Sequence, residues 1–297
     1  MKDRIALIGL GQMGLPIATR LATAFDVVAF DISAERRELA SRHAGIEATD
    51  DLIKLASEAA IVVSLPSPAI SRSVLQQLAP HLRDGATVIE TSTVLPDDVR
   101  EWQRMLEPSG VRVVDAAVLS GVAQMEQGKA TLLVGGEDAV LADVRPVLEA
   151  IGGGGVERFG ALGAGMAAKV VNNGVAHAVM VVLVEAFAMA RAEGVALGDI
   201  AAMLDREDGG LQRPLNHRIM QRMATGDFDG GMPLEAARKD STLALAMAQR
   251  SGTPLFATQA AQTVYDIASG TGLGRKDYSA IAQLWEGWTD RGLAYGE

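Results

Sequence analysis

Residues 5–31 read IALIGLGQMGLPIATRLATAFDVVAFD. A short apolar run ends in Gly9-Leu10-Gly11-Gln12-Met13-Gly14, helical spacing follows over 15–25, and VVAFD (27–31) closes the stretch on an acid. Strand, glycines, helix, strand and acid in that order form the pattern of a dinucleotide-binding βαβ unit. Gly9 permits the tight turn, Gly11 lets the backbone approach a pyrophosphate, and Gly14 lets helix and strand pack closely. Unpaired amides at the helix start then hold the phosphates. The Asp31 carboxylate can take both hydroxyls of a ribose and would repel a 2′-phosphate, so NAD is favoured over NADP. Arg36 and Arg37 lie close enough downstream to keep NADP as the lesser option. Turn glycines followed by a helix-capping Asp are the plain alternative, and the full order of elements speaks against it.

Working outward, AAIVVSLP (59–66), ATVIETS (86–92) and VRVVDAAV (111–118) read as strands buried on both faces. TLLVGG (131–136) and GVERFG (155–160) are two further short strand candidates, with helical stretches over 97–106 and 138–150. Strands alternating with helices predict right-handed crossovers and a mostly parallel sheet. After Phe159 the pattern changes: GALGAG (160–165) leads into a helical stretch to about Ala192, and helical spacing dominates from there. The expected architecture is an α/β Rossmann domain over 1–160, then an all-helical domain over 161–297, joined by a long helix.

Composition narrows the function classes. With 48% hydrophobic and 22% charged residues, the chain is a globular type with ample core. It has no cysteine, which excludes disulfides, thiolate metal sites and a cysteine nucleophile, and fits the cytoplasm. A net charge of −10 without a basic tract argues against nucleic acid as a partner. The apolar run Val175–Ala190 is short for a membrane span and carries His177 and Glu185, so a buried helix is expected. No histidine spacing suits a metal.

A lysine stands out in GAGMAAKVVNNG (163–174). On a helix, Lys169, Asn172 and Asn173 share one face. An amine desolvated at a domain junction has its pKa lowered towards neutrality and suits proton transfer. An asparagine one turn away can orient both the lysine and a substrate hydroxyl. Read alone, the segment is better taken as a solvated lysine at a helix end with ordinary surface asparagines, since lysines are usually exposed.

Several collinear segments resemble the β-hydroxyacid dehydrogenases, the group typified by 3-hydroxyisobutyrate dehydrogenase and tartronate semialdehyde reductase. IGLGQMG (8–14) looks like the opening motif, and DAAVLSGVAQMEQGKATLLVGG (115–136) keeps the frame of the substrate loop. GAGMAAKVVNN (163–173) matches G-x-G-x-x-x-K-x-x-N-N, RKDSTLAL (238–245) resembles the K-D segment, and GLGRKDYSAI (272–281) the closing motif. The resemblance implies that Lys169 donates and accepts the proton, with Asn173 orienting the substrate. It implies that Ser64-Leu65-Pro66 and Ser92-Thr93 lie beside the cofactor, Thr93 near the nicotinamide. Lys239 matches a lysine that reaches substrate and cofactor from the helical domain, and backbone amides at Ser120-Gly121 would hold a substrate carboxylate. A homodimer or homotetramer through the helical domain is also implied.

The substrate loop departs from the usual D-A-P-V-S-G-G. Ala117 stands for the proline, Leu119 for the serine and Ser120 for the first glycine, so the hydroxyl is displaced by one residue. In DREDGGLQRPLNHR (205–218), Gln212 or Arg213 could meet the distal end of a polar substrate, a solvated arginine being the plain alternative. Trp285 and Trp288 read as packing or subunit contact, His177 as a hydrogen-bonded core or interface residue, and Glu185 as a paired buried carboxylate. The expected activity is hydride transfer between NAD and a short 3-hydroxy acid, or reduction of the semialdehyde. The alternatives are an NADPH-dependent imine reductase, against which Lys169 and Asp31 both speak, and a non-catalytic dinucleotide-binding scaffold.

Overall fold

The computed structural model describes residues 3–295. Its chain forms two compact units, Met1–Gly174 and Val175–Glu297. The first contains eight strands: β1 (Arg4–Ile8), β2 (Asp26–Phe30), β3 (Ile46–Thr49), β4 (Ala60–Val63), β5 (Thr87–Glu90), β6 (Arg112–Leu119), β7 (Thr131–Gly135) and β8 (Gly155–Gly160). Its helices are α1 (Gly14–Ala22), α2 (Ala34–Ser41), α3 (Pro68–Leu78), α4 (Pro96–Leu106), α5 (Val122–Glu126) and α6 (Asp138–Ile151). A long helix, α7 (Ala164–Ala192), runs from the first unit into the second, where α8 (Leu197–Leu204), α9 (Leu234–Ser251), α10 (Phe256–Gly270) and α11 (Ala282–Thr289) follow. The α/β unit followed by an all-helical one, with one long helix between, is the architecture expected from the sequence.

The sheet order is β3-β2-β1-β4-β5-β6-β7-β8. Every neighbouring pair is parallel except β6 and β7, which are antiparallel across Asp115↔Gly135 to Leu119↔Thr131. β1 lies between β2 and β4, so the winding direction reverses there and a crevice opens at the carboxyl ends of those strands. Helices cover both faces, which is why the strands read as unbroken apolar runs. Ile5, Leu7, Val27 and Ala29 pack with Ile17 and Leu21 of α1 and Val147 and Leu148 of α6. On the opposite face Ile8, Ile61, Val63 and Val88 pack with Leu75 and Leu78 of α3 and Trp102 of α4. Each such side chain contributes roughly 1.5–3 kcal/mol by leaving water.

β3 is an edge strand of four residues, IEAT, whose alternating polar pattern carries no strong strand signal. GVERFG forms the opposite edge as β8 and is half-exposed, as its polar centre requires.

One expectation is corrected here. The run 175–190 belongs to a 29-residue helix and is not buried: only 11% of its most apolar window lies inside the protein. Val175, Met180 and Val184 are all more than half exposed. His177 is likewise exposed and takes no place in the core.

Within the second unit, Glu185 is the buried carboxylate of that run. Its oxygens accept from the amides of Ala257 (2.7 Å) and Thr258 (3.0 Å) and from the Thr258 hydroxyl (2.9 Å). It therefore caps the amino end of α10 from α7, and those bonds hold its pKa below the ordinary carboxylate value despite burial. Asp277 is fully buried; it accepts from Met232 N and Ser279 N and is paired with Arg218 at 3.3 Å. The closing motif of the sequence is thus a structural hub of the helical unit. Trp285 and Trp288 make an edge-to-face pair, centroids 5.2 Å apart, on the exposed side of α11.

Candidate active site

The turn between β1 and α1 opens onto a cavity of about 590 Å³. Its walls come from the glycine motif, the end of β2, and the segment from Ser64 to Val74 that joins β4 to α3. That volume suits a nucleotide-sized ligand. Gly9, with φ +98°, sits where a Cβ would fall 2.2 Å from the Ser64 carbonyl oxygen, and a Cβ at Gly14 would lie 2.0 Å from the Gly9 oxygen. Both glycines are demanded by the protein itself. At Gly11 a Cβ would meet nothing within 4 Å, yet the residue lines the cavity. A cradle kept open at Gly11, with no internal reason for it, fits a backbone that approaches a phosphate.

Asp31 stands at the rim. Its Oδ2 accepts from Leu10 N at 2.7 Å and its Oδ1 from Ser33 N at 2.8 Å. The carboxylate is thereby fixed at the end of β2, facing the cavity it lines. Arg37 donates to the carbonyls of Asp31 and Ile32 and so braces the backbone. Arg36 lines the cavity.

Of the residues expected to contact a cofactor, Gly9, Gly11, Gln12, Met13, Gly14, Asp31, Leu65 and Pro66 come together in these walls. Leu10 does not; its side chain is fully buried and its amide holds Asp31. Thr93 is exposed in the loop after β5 and does not line the cavity. Lys239 is on α9 of the helical unit, exposed, and pairs with Asp240 at 3.1 Å. Phe30, Ile32, Ser33, Ile70 and Val74 complete the walls and were not singled out by the sequence.

Lys169 is on the first turns of α7, half-buried, and this desolvation lowers its ammonium pKa from the ordinary 10.5. Asn173 follows one turn later, its side-chain oxygen 3.4 Å from the Asn172 amide nitrogen. The start of α7 is held by a residue that sequence reasoning passed over. Asp115, fully buried on β6, accepts from Gly163 N at 2.6 Å and Met166 N at 2.7 Å. A Cβ at Gly165 would be 2.8 Å from that carboxylate and 2.3 Å from the Leu133 oxygen, so the second glycine of GAG lets the helix sit against the sheet. Burial raises the Asp115 pKa, against the pull of its amide donors. A lone acid inside an apolar strand was the available signal.

Ser120 and Gly121 form the turn between β6 and α5. The Ser120 hydroxyl is buried and has no hydrogen-bond partner. β6 continues unbroken through Ala117 to Leu119, which is partly exposed. Arg213 is exposed and Gln212 half-buried, in an irregular segment that leads into a π-helical turn over Pro214–Ile219.

Residues 4–159 match the family described as the NAD binding domain of 6-phosphogluconate dehydrogenase. Residues 163–285 match the NAD-binding region of NADP-dependent 3-hydroxyisobutyrate dehydrogenase. The chain is 30% identical to 2-(hydroxymethyl)glutarate dehydrogenase of Eubacterium barkeri, over 99% of this chain and 98% of that protein. It is 31% identical to the mitochondrial 3-hydroxyisobutyrate dehydrogenase of Drosophila melanogaster, over 94% of this chain and 88% of that one. An imine reductase from Myxococcus stipitatus, a variant solved with NAD+, superposes with a TM-score of 0.87 at 20% identity, over 96% of this chain and all of that one. At that identity the likeness is one of fold.

Proposed function

The chain belongs to the β-hydroxyacid dehydrogenase family of NAD(P)-dependent oxidoreductases acting on CH–OH groups, and on that basis we propose that it passes a hydride between NAD and a short-chain 3-hydroxy acid, or reduces the corresponding semialdehyde. The observation that carries the chemical reading is Lys169: a half-buried amine with lowered pKa, near the start of the helix that begins beside the dinucleotide-binding fold.

The cofactor, when bound, supplies the hydride acceptor or donor. The protein's part is position and proton. Gly11 and the amides of the β1–α1 turn receive the pyrophosphate, and Asp31 takes the ribose hydroxyls, which favours NAD over NADP. Ile32, Ile70 and Val74 give an apolar seat to a flat ring. In the oxidative direction neutral Lys169 accepts the proton of the substrate hydroxyl; in the reductive direction its ammonium returns it. Asn173 orients that hydroxyl. By the family resemblance, Thr93 would lie near the nicotinamide. The unpaired Ser120 hydroxyl and the Gly121 amide hold the substrate carboxylate, a role that satisfies a buried oxygen otherwise without a partner. The assembly is a cytoplasmic homo-oligomer.

The test is a panel of 3-hydroxy acids offered with NAD and with NADP, and of semialdehydes and cyclic imines offered with NADH and with NADPH, followed at the reduced-nicotinamide absorbance. Turnover of hydroxy acids with NAD is expected, and Asp31→Ala should weaken NAD more than NADP. Turnover confined to NADPH with cyclic imines would replace this reading with that of an imine reductase. No turnover with any member would leave a binding scaffold.

A further inference from the structure

Glu90, the last residue of β5, is fully buried in the dinucleotide-binding unit and has no cationic partner among the described residues. Its Oε1 accepts from Ser92 N at 2.8 Å. The Ser92 hydroxyl, also within reach of that carboxyl, accepts from Leu65 N at 2.8 Å. On the other side stands the Ser71 hydroxyl of α3, fully buried. Glu90 Oε2 and Ser71 Oγ are both enclosed and both lack a hydrogen bond of normal geometry. These contacts converge on one segment: Leu65 and Ile70, the latter next to Ser71, line the nucleotide cavity, as do Pro66 and Val74.

We propose that Glu90 is a positioning residue for the cofactor: as a neutral acid it ties β5, the Ser92 turn and α3 together, and so sets the cavity wall from Ser64 to Val74. This rests on the assignment of the dinucleotide to the β1–α1 cavity. Three observations support the neutral form. Burial raises the carboxyl pKa from 4.5 to about 8. The acidic groups near it are Asp98 of α4 and Asp115, its register partner on β6. The nearest arginine on α3, Arg72, is engaged with Glu101 of α4. A charge placed at Glu90 would gain hydrogen bonds from Ser92 and Ser71, yet it would be fully buried near the Asp98 carboxylate with no paired cation to offset its desolvation. Burying an acid at such a site works against stability, and that cost is understandable where the group serves binding. Asparagine-like hydrogen bonding from a neutral acid suffices, so glutamine should replace it.

The experiment is titration of the intact protein with NADH, followed by fluorescence, from pH 7 to 9.5. If only the neutral form holds the wall in place, apparent Kd divides by the neutral fraction and rises up to about 30-fold by pH 9.5. Glu90→Gln should bind as the wild type does at pH 7 and change less than about twofold across the range. Lys169→Ala should follow the wild-type curve, which separates the two titrations. A flat wild-type curve, or a Glu90→Gln curve that rises with the wild type, overturns the proposal. Should Glu90→Gln not fold, Ser71→Ala serves instead: it must move the midpoint of the wild-type curve, and an unmoved midpoint is equally fatal. Gly11→Ala and Asp31→Ala distinguish the levels. If neither weakens NADH, the cavity assignment falls and this inference with it; if both do while Glu90→Gln tracks the wild type, Glu90 alone loses its role.

Discussion

The proton-transfer role proposed for Lys169 rests on its partial burial. Desolvation disfavours the ammonium, so a larger neutral fraction is present at a given pH than an exposed lysine would offer. With Lys169 as the base, oxidation would need the neutral amine, and its rate should rise with pH through a midpoint below 10.5 and level off above it. Lys169→Ala should cost kcat about 10²–10⁴-fold and abolish that limb, with NADH affinity at pH 7 little changed. A variant that keeps the limb would remove Lys169 from proton transfer. The glycine motif yields a second contrast between residues of one type. Gly11→Ala adds a methyl to open space, so folding should be intact while cofactor affinity drops. Gly9→Ala forces φ +98° and a 2.2 Å contact, so thermal stability itself should fall. Equal loss of stability in the two would show that Gly11 is also a folding residue.

Among the elements, α7 is anchored at two points by acids from or to other segments. Asp115 on β6 holds its first turn, and Glu185 on α7 holds the first turn of α10. Glu185→Ala leaves the Ala257 and Thr258 amides without their acceptor and should lower stability by about 1–3 kcal/mol, read by thermal or urea unfolding. An unchanged midpoint would mean that water replaces the cap at no cost. These anchors also mark the limits of what the sequence reveals. The βαβ unit was legible because each strand is buried on both faces and each glycine sits at a fixed place in the turn. β3 was not, since IEAT at a sheet edge has neither an apolar run nor a clean partner pattern. Asp115, Glu90 and Asp277 could be seen as acids in apolar or motif contexts. Their partners could not, because the amides and hydroxyls they hold come from segments about 20 to 50 residues away or from groups with no side-chain signal. The cavity's apolar wall at Ile70 and Val74 escaped for the same reason: a helix that lines a cavity and one that only packs share the same spacing.

At the scale of the whole molecule, the exposed faces of α7 demand an explanation that the single chain lacks. An apolar helix with Val171, Val175, Met180 and Val184 each more than half exposed would cost about 25 cal/mol for every Å² of apolar surface left in water. By length and composition it could cross a membrane, with a mean hydropathy of 1.7 over its most apolar window. Yet Lys169, Asn172, Asn173, His177 and Glu185 interrupt it with polar side chains. Glu185 is moreover occupied in capping α10 from within that segment. A bilayer would have to enclose that carboxylate, and ionisable groups are costly there. A second copy of this chain would cover the remaining face without that penalty, in keeping with the oligomer proposed above. Met180 and Val184 are one turn apart and exposed together. The double substitution Met180→Glu with Val184→Glu should therefore turn an oligomeric wild type into a monomer by light scattering, with the NADH site of the first unit retained. A wild type already monomeric at micromolar concentration would leave the helix uncovered and defeat the argument, and an oligomer indifferent to both charges would move the interface off this face.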